Sequence, residues 1–124
     1  MVSMKKILIV EDDGFLQSLE VNKLTKSDYD VIIASNGEEG MRKINEPGID
    51  LVLLDLNLPI FDGFEILKKI RETPNLKTLP VIVFSNLADE KDFKKAKGLG
   101  ASEFMIKSNF TLEELVEHIK KILG

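Results

Sequence analysis

The sequence contains no cysteine, which excludes disulfides and thiolate metal sites and fits a reducing compartment. No apolar run approaches the length of a bilayer span, so no membrane segment is expected. Met1-Val2-Ser3-Met4-Lys5-Lys6 is too short for a signal peptide, and Met4 is a candidate natural start. A basic excess is also missing. The net charge of -4 argues against direct, non-specific binding of nucleic acid through a general basic field. Linkers, internal repeats and low-complexity stretches are absent as well. The 124 residues therefore read as one domain, 1–124, large enough to bury its own core without staples.

The rest of the chain is organised around Asp50-Leu51-Val52-Leu53-Leu54-Asp55-Leu56-Asn57-Leu58-Pro59. Four consecutive apolar residues run into a carboxylate, and Pro59 stops the strand. A run that is apolar at every position suits a strand buried on both faces. Asp55 then lies at the carboxyl end of a central parallel strand, the edge where open α/β sheets bind ligands. Asp55 as a simple turn cap explains this stretch equally well when it is taken alone.

In chain order the pattern alternates between two periods. Lys6-Ile7-Leu8-Ile9-Val10 is an apolar strand followed at once by Glu11-Asp12-Asp13. Phe15, Leu16, Leu19 and Leu24 mark a first helix ending near Ser27-Asp28, and Val31–Ala34 is a second strand. Asn36 with Glu39 caps a second helix carrying Met41 and Ile44, which Pro47-Gly48 ends. After the Asp50–Asp55 strand, an Asp62-Gly63 turn opens a helix with Phe64, Leu67 and Ile70, broken at Pro74. Pro80 introduces a fourth strand, Val81–Phe84. Asp89 starts a polar helix with Phe93, Ala96 and Leu99, closed by Gly98 and Gly100, and Phe104-Met105-Ile106 is a short fifth strand. Thr111 with Glu114 is a capping box for a last helix striped by Leu112, Leu115, Val116, Ile119, Ile122 and Leu123. Five strand–helix pairs with short connections imply a parallel sheet covered by helices on both faces. Periodicity does not reveal the strand order.

Listing polar residues by position brings out the chemistry. Glu11, Asp12 and Asp13 follow strand one, Asp55 ends strand three, Ser85 follows strand four and Lys107 follows strand five. All lie at one edge of a parallel sheet. If strands one and three are neighbours, as in the flavodoxin-like order, their carboxylates meet at the switch point. Clustered carboxylates repel, and a hard divalent cation such as Mg²⁺ is the natural remedy. A hydroxyl and an ammonium beside them suit an incoming anion. Together these groups describe a site that makes an aspartyl phosphate.

The chain resembles a response-regulator receiver domain over essentially its whole length. The resemblance is carried by Ile9-Val10-Glu11-Asp12-Asp13, Leu53-Leu54-Asp55-Leu56-Asn57-Leu58-Pro59, Asp62-Gly63, Val83-Phe84-Ser85 and Phe104-Met105-Ile106-Lys107, in order, each at its own strand end or turn. It implies a flavodoxin-like doubly wound (βα)5 domain with strand order 2-1-3-4-5. Asp55 would accept a phosphoryl group from a phosphohistidine on a histidine kinase or phosphotransfer protein. Asp12 and Asp55 would bind Mg²⁺ directly, the Asn57 backbone carbonyl would join them, and Glu11 would act through a bound water. Lys107 would pair with the phosphoryl oxygens, Ser85 would hydrogen-bond to them, and Phe104 occupies the aromatic switch position. Asp13 falls past the acidic pair and reads as a helix cap.

The same resemblance implies a signalling phosphoacceptor in the cytoplasm that catalyses only its own phosphorylation and dephosphorylation. Its output protein or effector domain would contact the face of the fourth helix, fifth strand and fifth helix, including Lys91, Lys94, Lys95, Phe104 and Lys107. It would be a monomer or a phosphorylation-dependent dimer, either a stand-alone receiver or one cut from a longer protein.

Two departures bear on details. Asn86 replaces the usual Ala or Gly and could screen the phosphoryl group from water, and Ser108 stands where proline is usual. A trans Lys107–Ser108 peptide is expected, because cis before a non-proline residue costs about 3–4 kcal/mol. His118, off the apolar stripe of the last helix, reads as a surface residue. Two rivals fit less well. A haloacid-dehalogenase-type phosphatase needs a second Asp where Asn57 stands, and a nucleotide binder needs a glycine-rich loop where Glu11-Asp12-Asp13 stands. The alternative of a pseudo-receiver, a phosphorylation-independent protein-interaction scaffold, remains open.

Overall fold

A computed structural model of the chain describes residues 4–87 and 89–124. Met1–Ser3, part of the stretch read as too short for a signal peptide, lie outside the described residues. The elements are β1 (Lys6–Val10), α1 (Gly14–Lys26), β2 (Asp30–Ala34), α2 (Gly37–Lys43), β3 (Ile49–Leu54), α3 (Gly63–Glu72), β4 (Val81–Ser85), α4 (Glu90–Gly98), β5 (Glu103–Ile106) and α5 (Leu112–Leu123). Short 3₁₀ turns occupy Pro74–Leu76 and Lys107–Asn109. The strands form one parallel sheet in the order β2-β1-β3-β4-β5, the flavodoxin-like arrangement.

Strand alternation splits the core into two layers. Leu8, Val10, Val52, Leu54, Val81 and Val83 face α2, α3 and α4, where they meet Ile44, Phe64, Ile66, Leu67, Ile70 and Ala96. Ile7, Ile9, Leu51, Leu53, Ile82 and Met105 face the opposite layer with Leu24 of α1 and Leu115, Val116 and Ile119 of α5. Polar side chains start each helix. Asp13, Asn36, Asp62, Asp89 and Thr111 are the N-caps, each accepting from a backbone N–H of the first turn. Thr111 and Glu114 complete the expected capping box. At Asn36 the partner carboxylate goes elsewhere, since Glu39 accepts from the Ser35 N–H at 2.7 Å.

Three expectations change. Phe15 and Leu19 do not enter the core; Phe15 is 77% exposed and Leu19 is also exposed. The inward stripe of α1 instead runs through Leu16, Glu20 and Leu24, with Gln17 and Val21 beside it. Phe93 is exposed on α4 and packs edge-to-face on Phe104 with ring centroids 5.5 Å apart. His118 is half-buried, not a free surface residue, because α5 lays it against β5. Its Nδ1 pairs with the Glu103 carboxylate and its ring meets Phe110 edge-on.

Two glycines allow elements to approach the β3 edge closely. A Cβ on Gly63 would lie 2.4 Å from the Asp55 carbonyl oxygen, and one on Gly37 would lie 1.8 Å from the Phe61 carbonyl oxygen. The loop between β3 and α3 is thus pressed against the starts of both α2 and α3. Within it, Ile60 takes φ 71°, a left-handed conformation unusual for a β-branched residue, and is 72% exposed. No described helix is long and apolar enough to cross a membrane.

Candidate acidic functional site

The site is assembled from strand ends. Val10 pairs with Ala34 on one side and Leu54 on the other, so β1 and β3 finish level with each other. The Asp55 N–H donates to the Val10 carbonyl at 3.1 Å, and the Glu11 N–H donates to the Ala34 carbonyl at 3.0 Å. These bonds bring Glu11, Asp12 and Asp55 together. One carboxylate oxygen from each lies within 4.8 Å of the others. Glu11 and Asp55 are 2% and 5% exposed, while Asp12 faces solvent.

Asp55 is held by both oxygens. Oδ1 accepts from the Ser85 hydroxyl at 2.8 Å and from the Asn57 N–H at 3.1 Å. Oδ2 accepts from the Lys107 ammonium at 2.9 Å. Ser85 is fully buried at the end of β4, and its Oγ also accepts from the Leu87 N–H at 3.3 Å. Lys107 opens the 3₁₀ turn after β5, and its peptide to Ser108 is trans, as expected. Asn86 is exposed beside Ser85. Phe104 lies half-buried on β5, paired with Val83 and two residues before the strand's end. Asp13 caps α1 and contributes no oxygen to the acidic cluster.

One interaction had no counterpart in the sequence reading. Lys107 Nζ also reaches Glu11 Oε1 at 2.6 Å, so a single ammonium bridges the two buried carboxylates. Burial pushes the Glu11 carboxyl above its ordinary pKa; the bond from Lys107 opposes this, and the negative charge of Asp55 adds to it. Burial alone would lower the Lys107 pKa, but its bonds to Glu11 and Asp55 outweigh that and hold the ammonium above its ordinary value. Three carboxylates against one lysine leave the cluster short of positive charge. Its donors are hard oxygens on a partly open edge, which suits a divalent cation of the Mg²⁺, Ca²⁺ or Mn²⁺ kind.

The sequence reading also passed over Glu20 and Arg71. Glu20 is buried on α1, and its place on the Leu16–Glu20–Leu24 stripe was the available signal. Arg71 donates from Nε and Nη2 to the Gly100 carbonyl at 3.0 and 2.8 Å. Its Nη1 donates to the carbonyls of Leu76 at 3.2 Å and Leu79 at 2.7 Å. It ties the end of α3 to the loop between α4 and β5, and no local pattern predicts a partner 29 residues away.

Comparison with known proteins agrees with this geometry. The family model for the response regulator receiver domain matches residues 7–120. The chain is 37% identical over 121 residues to the alkaline phosphatase synthesis transcriptional regulatory protein PhoP of Bacillus subtilis, covering 96% of this chain and 48% of that protein. It is likewise 37% identical to the response regulator ArlR of Staphylococcus saprophyticus, covering 97% of this chain and 53% of that one. The chain thus spans about half the length of these curated relatives. Among solved structures, it is similar to the receiver domain of a sensor histidine kinase from Pseudomonas aeruginosa PAO1, described as having a magnesium ion coordinated in the active site cleft. The TM-score is 0.88 at 26% identity, covering 98% of each chain. A response regulator receiver domain protein from Methanospirillum hungatei superposes with TM-score 0.87 at 30% identity, covering 96% of this chain and 93% of that one. By sequence, strand order and the assembly of its acidic edge, this chain belongs to the response regulator receiver domain family.

Proposed function

We propose that Asp55 is the phosphoacceptor of this receiver domain. The observation that carries the reading is the environment of its carboxylate. Asp55 is buried, bonded to Ser85 on one oxygen and Lys107 on the other, and within 4.8 Å of oxygens from Glu11 and Asp12. In the reaction, one Asp55 oxygen forms a bond to phosphorus as the N–P bond of a phosphohistidine breaks and the imidazole leaves. Lys107 moves its ammonium from the carboxylates to the phosphoryl oxygens, and the Ser85 hydroxyl turns from Asp55 Oδ1 to the same group. Asn86, exposed at the mouth, controls the approach of water.

Asp12, Asp55 and the Asn57 backbone carbonyl would hold Mg²⁺, with Glu11 acting through water. When bound, the cation supplies the positive charge that lets an anionic carboxylate meet an anionic phosphoryl group. The donors are a histidine kinase or phosphotransfer protein, and the working compartment is the cytoplasm. The chain acts on no separate substrate.

The added charge, roughly -2 on the phosphorylated side chain, is read out through Ser85 and Lys107. Their backbones lead into α4, β5 and α5. Of the α4 residues only Ala96 is buried, which suits an element that shifts. Between α4 and β5 a cavity of about 290 Å³ is lined by Phe93, Phe104, Ile106 and Phe110. Phe104 can turn into or out of this space. The output partner docks on this face, near Lys91, Lys94 and Lys95, and the protein is a monomer or a phosphorylation-dependent dimer. The domain extends over 1–124.

Intact mass after exposure to acetyl phosphate tests the reading. One added phosphoryl group is expected with Mg²⁺ and none without it, and Asp55→Asn abolishes the gain. Asp12→Ala impairs the gain by weakening metal affinity, whereas Ser85→Ala preserves phosphorylation but blunts the response of the α4–β5–α5 face in hydrogen exchange. Specific uptake by Asp55→Asn would overturn the assignment.

A further inference from the structure

Glu20 sits in the second turn of α1 on the side facing the sheet, one turn before Leu24, and is 1% exposed. Neither of its carboxyl oxygens has a hydrogen-bond partner among the described residues. Its layer is otherwise apolar, with Ile9 and Leu53 from the sheet and Leu115, Val116 and Ile119 from α5. An unpartnered ion in such surroundings is strongly disfavoured, so the carboxyl takes up a proton instead. Burial is the main cause and pushes the Glu20 pKa up to about 8.

The charged groups acting on Glu20 come from four places. Glu11 follows β1, Asp13 caps α1, Asp55 follows β3 and Lys107 follows β5. The three acids favour the protonated form and Lys107 opposes it. From α5, Glu113 pairs with Lys23 of α1 at 3.5 Å on the surface. Glu20 makes no hydrogen bond to any of these groups. It therefore responds to the charge of the acid site through the field and not through a shared ligand. A charge balance that alters above it must alter its proton occupancy.

We propose that Glu20 is a charge-compensating positioning residue for the acid site: it holds a proton while Glu11, Asp12 and Asp55 are short of positive charge, and releases it to solvent as a divalent cation neutralises them. The inference rests on the reading of that cluster as a cation site. Each cation that enters brings two positive charges, and the loss of the Glu20 proton returns one negative charge to the layer beneath. Linkage is reciprocal, so cation affinity must rise with pH across the range in which Glu20 titrates. The rise is roughly tenfold for each unit by which the bound cation lowers the Glu20 pKa. Glu20→Gln keeps the shape and removes the proton, and its cation affinity should be flatter over the same range.

Calorimetric titration with MgCl₂ at pH 8, in two buffers of different ionisation enthalpy, counts the protons released per ion. The wild type should release more than Glu20→Gln, and the difference isolates Glu20 from any proton lost by Glu11. Equal release from both proteins, each binding Mg²⁺ normally, would overturn the role of Glu20 and leave the cation site standing. Failure of the wild type to bind Mg²⁺ would instead overturn the cation-site reading, and this inference with it. Should Glu20→Gln fold poorly, carbon-13 NMR of the wild-type carboxyls keeps the test. The Glu20 titration midpoint should fall when saturating Mg²⁺ is added, and an unmoved midpoint refutes the coupling.

Discussion

Replacing Lys107 by methionine isolates the electrostatic balance of the acid site. The variant keeps much of the side-chain volume but removes the ammonium that lies 2.6 Å from Glu11 and 2.9 Å from Asp55. Both carboxylates are nearly inaccessible to water. Some compensation survives, since Ser85 and Asn57 still donate to Asp55 and the Asp13 N–H still donates to Glu11 at 3.1 Å. Breaking a buried pair by removing one partner costs about 3–5 kcal/mol. With two carboxylates stranded but partly hydrogen-bonded, about 3 kcal/mol is expected at pH 8 without divalent cations, roughly 10 °C in Tm for a chain of this size. The pH dependence follows from Glu11. Its pKa is already raised in the fold, and loss of the Lys107 bond removes a group that was lowering it. Between the ordinary carboxylate range and the folded value, the native state then binds more protons than the unfolded chain, so stability falls as pH rises. The fall should be steeper in Lys107→Met, making the penalty smaller at pH 5.5 than at pH 8. Urea unfolding at the two pH values measures this, with the slope m checked for constancy. A loss below about 1 kcal/mol at pH 8 would refute the bridging role, as would equal losses at both pH values. If the cluster is a cation site, MgCl₂ at 100 times its Kd should restore about 2.7 kcal/mol.

Arg71→Met should cost about 2–3 kcal/mol in urea unfolding, because the carbonyls of Gly100, Leu76 and Leu79 lose their donor. Arg71→Lys should recover only part of this, since an ammonium cannot fork across three carbonyls; full recovery would contradict the geometry. Ile60→Gly should stabilise the fold by about 0.5–1 kcal/mol, relief of the left-handed strain exceeding the entropy cost of glycine. A drop in Tm would show that strain there is negligible. Gly63→Ala should destabilise by more than 1 kcal/mol, roughly the scale of an overpacking clash, because its Cβ would meet the backbone at Asp55 and Leu56. If Gly63→Ala unfolds at the wild-type urea midpoint, that contact is softer than its distances imply.

Local physics carried most of the architecture. Continuous apolar runs such as Ile7–Val10 and Leu51–Leu54 suit strands buried on both faces, and the caps at Asp13, Asn36, Asp62, Asp89 and Thr111 lie within three residues of the N–H groups they satisfy. The candidate acid site was legible for the same reason: each of its residues follows an identifiable strand, and parallel strands put all those ends at one edge. What periodicity could not decide was which side of an element faces water. Phe15 and Leu19 share one face of α1, yet packing on β2 and α5 turned that face outward and drew Glu20 inside. The alternation of strands and helices likewise says nothing of which strand lies beside which; the order β2-β1-β3-β4-β5 came from the resemblance to a family. Contacts distant in sequence belong wholly to the assembled fold. Lys107 bridges Glu11 and Asp55, Arg71 reaches Gly100 and His118 finds Glu103 because separate elements are packed together. The state of Glu20 is decided there too: the Leu16–Glu20–Leu24 spacing marks an inward position, but only the packing of α1 leaves its carboxyl without a partner.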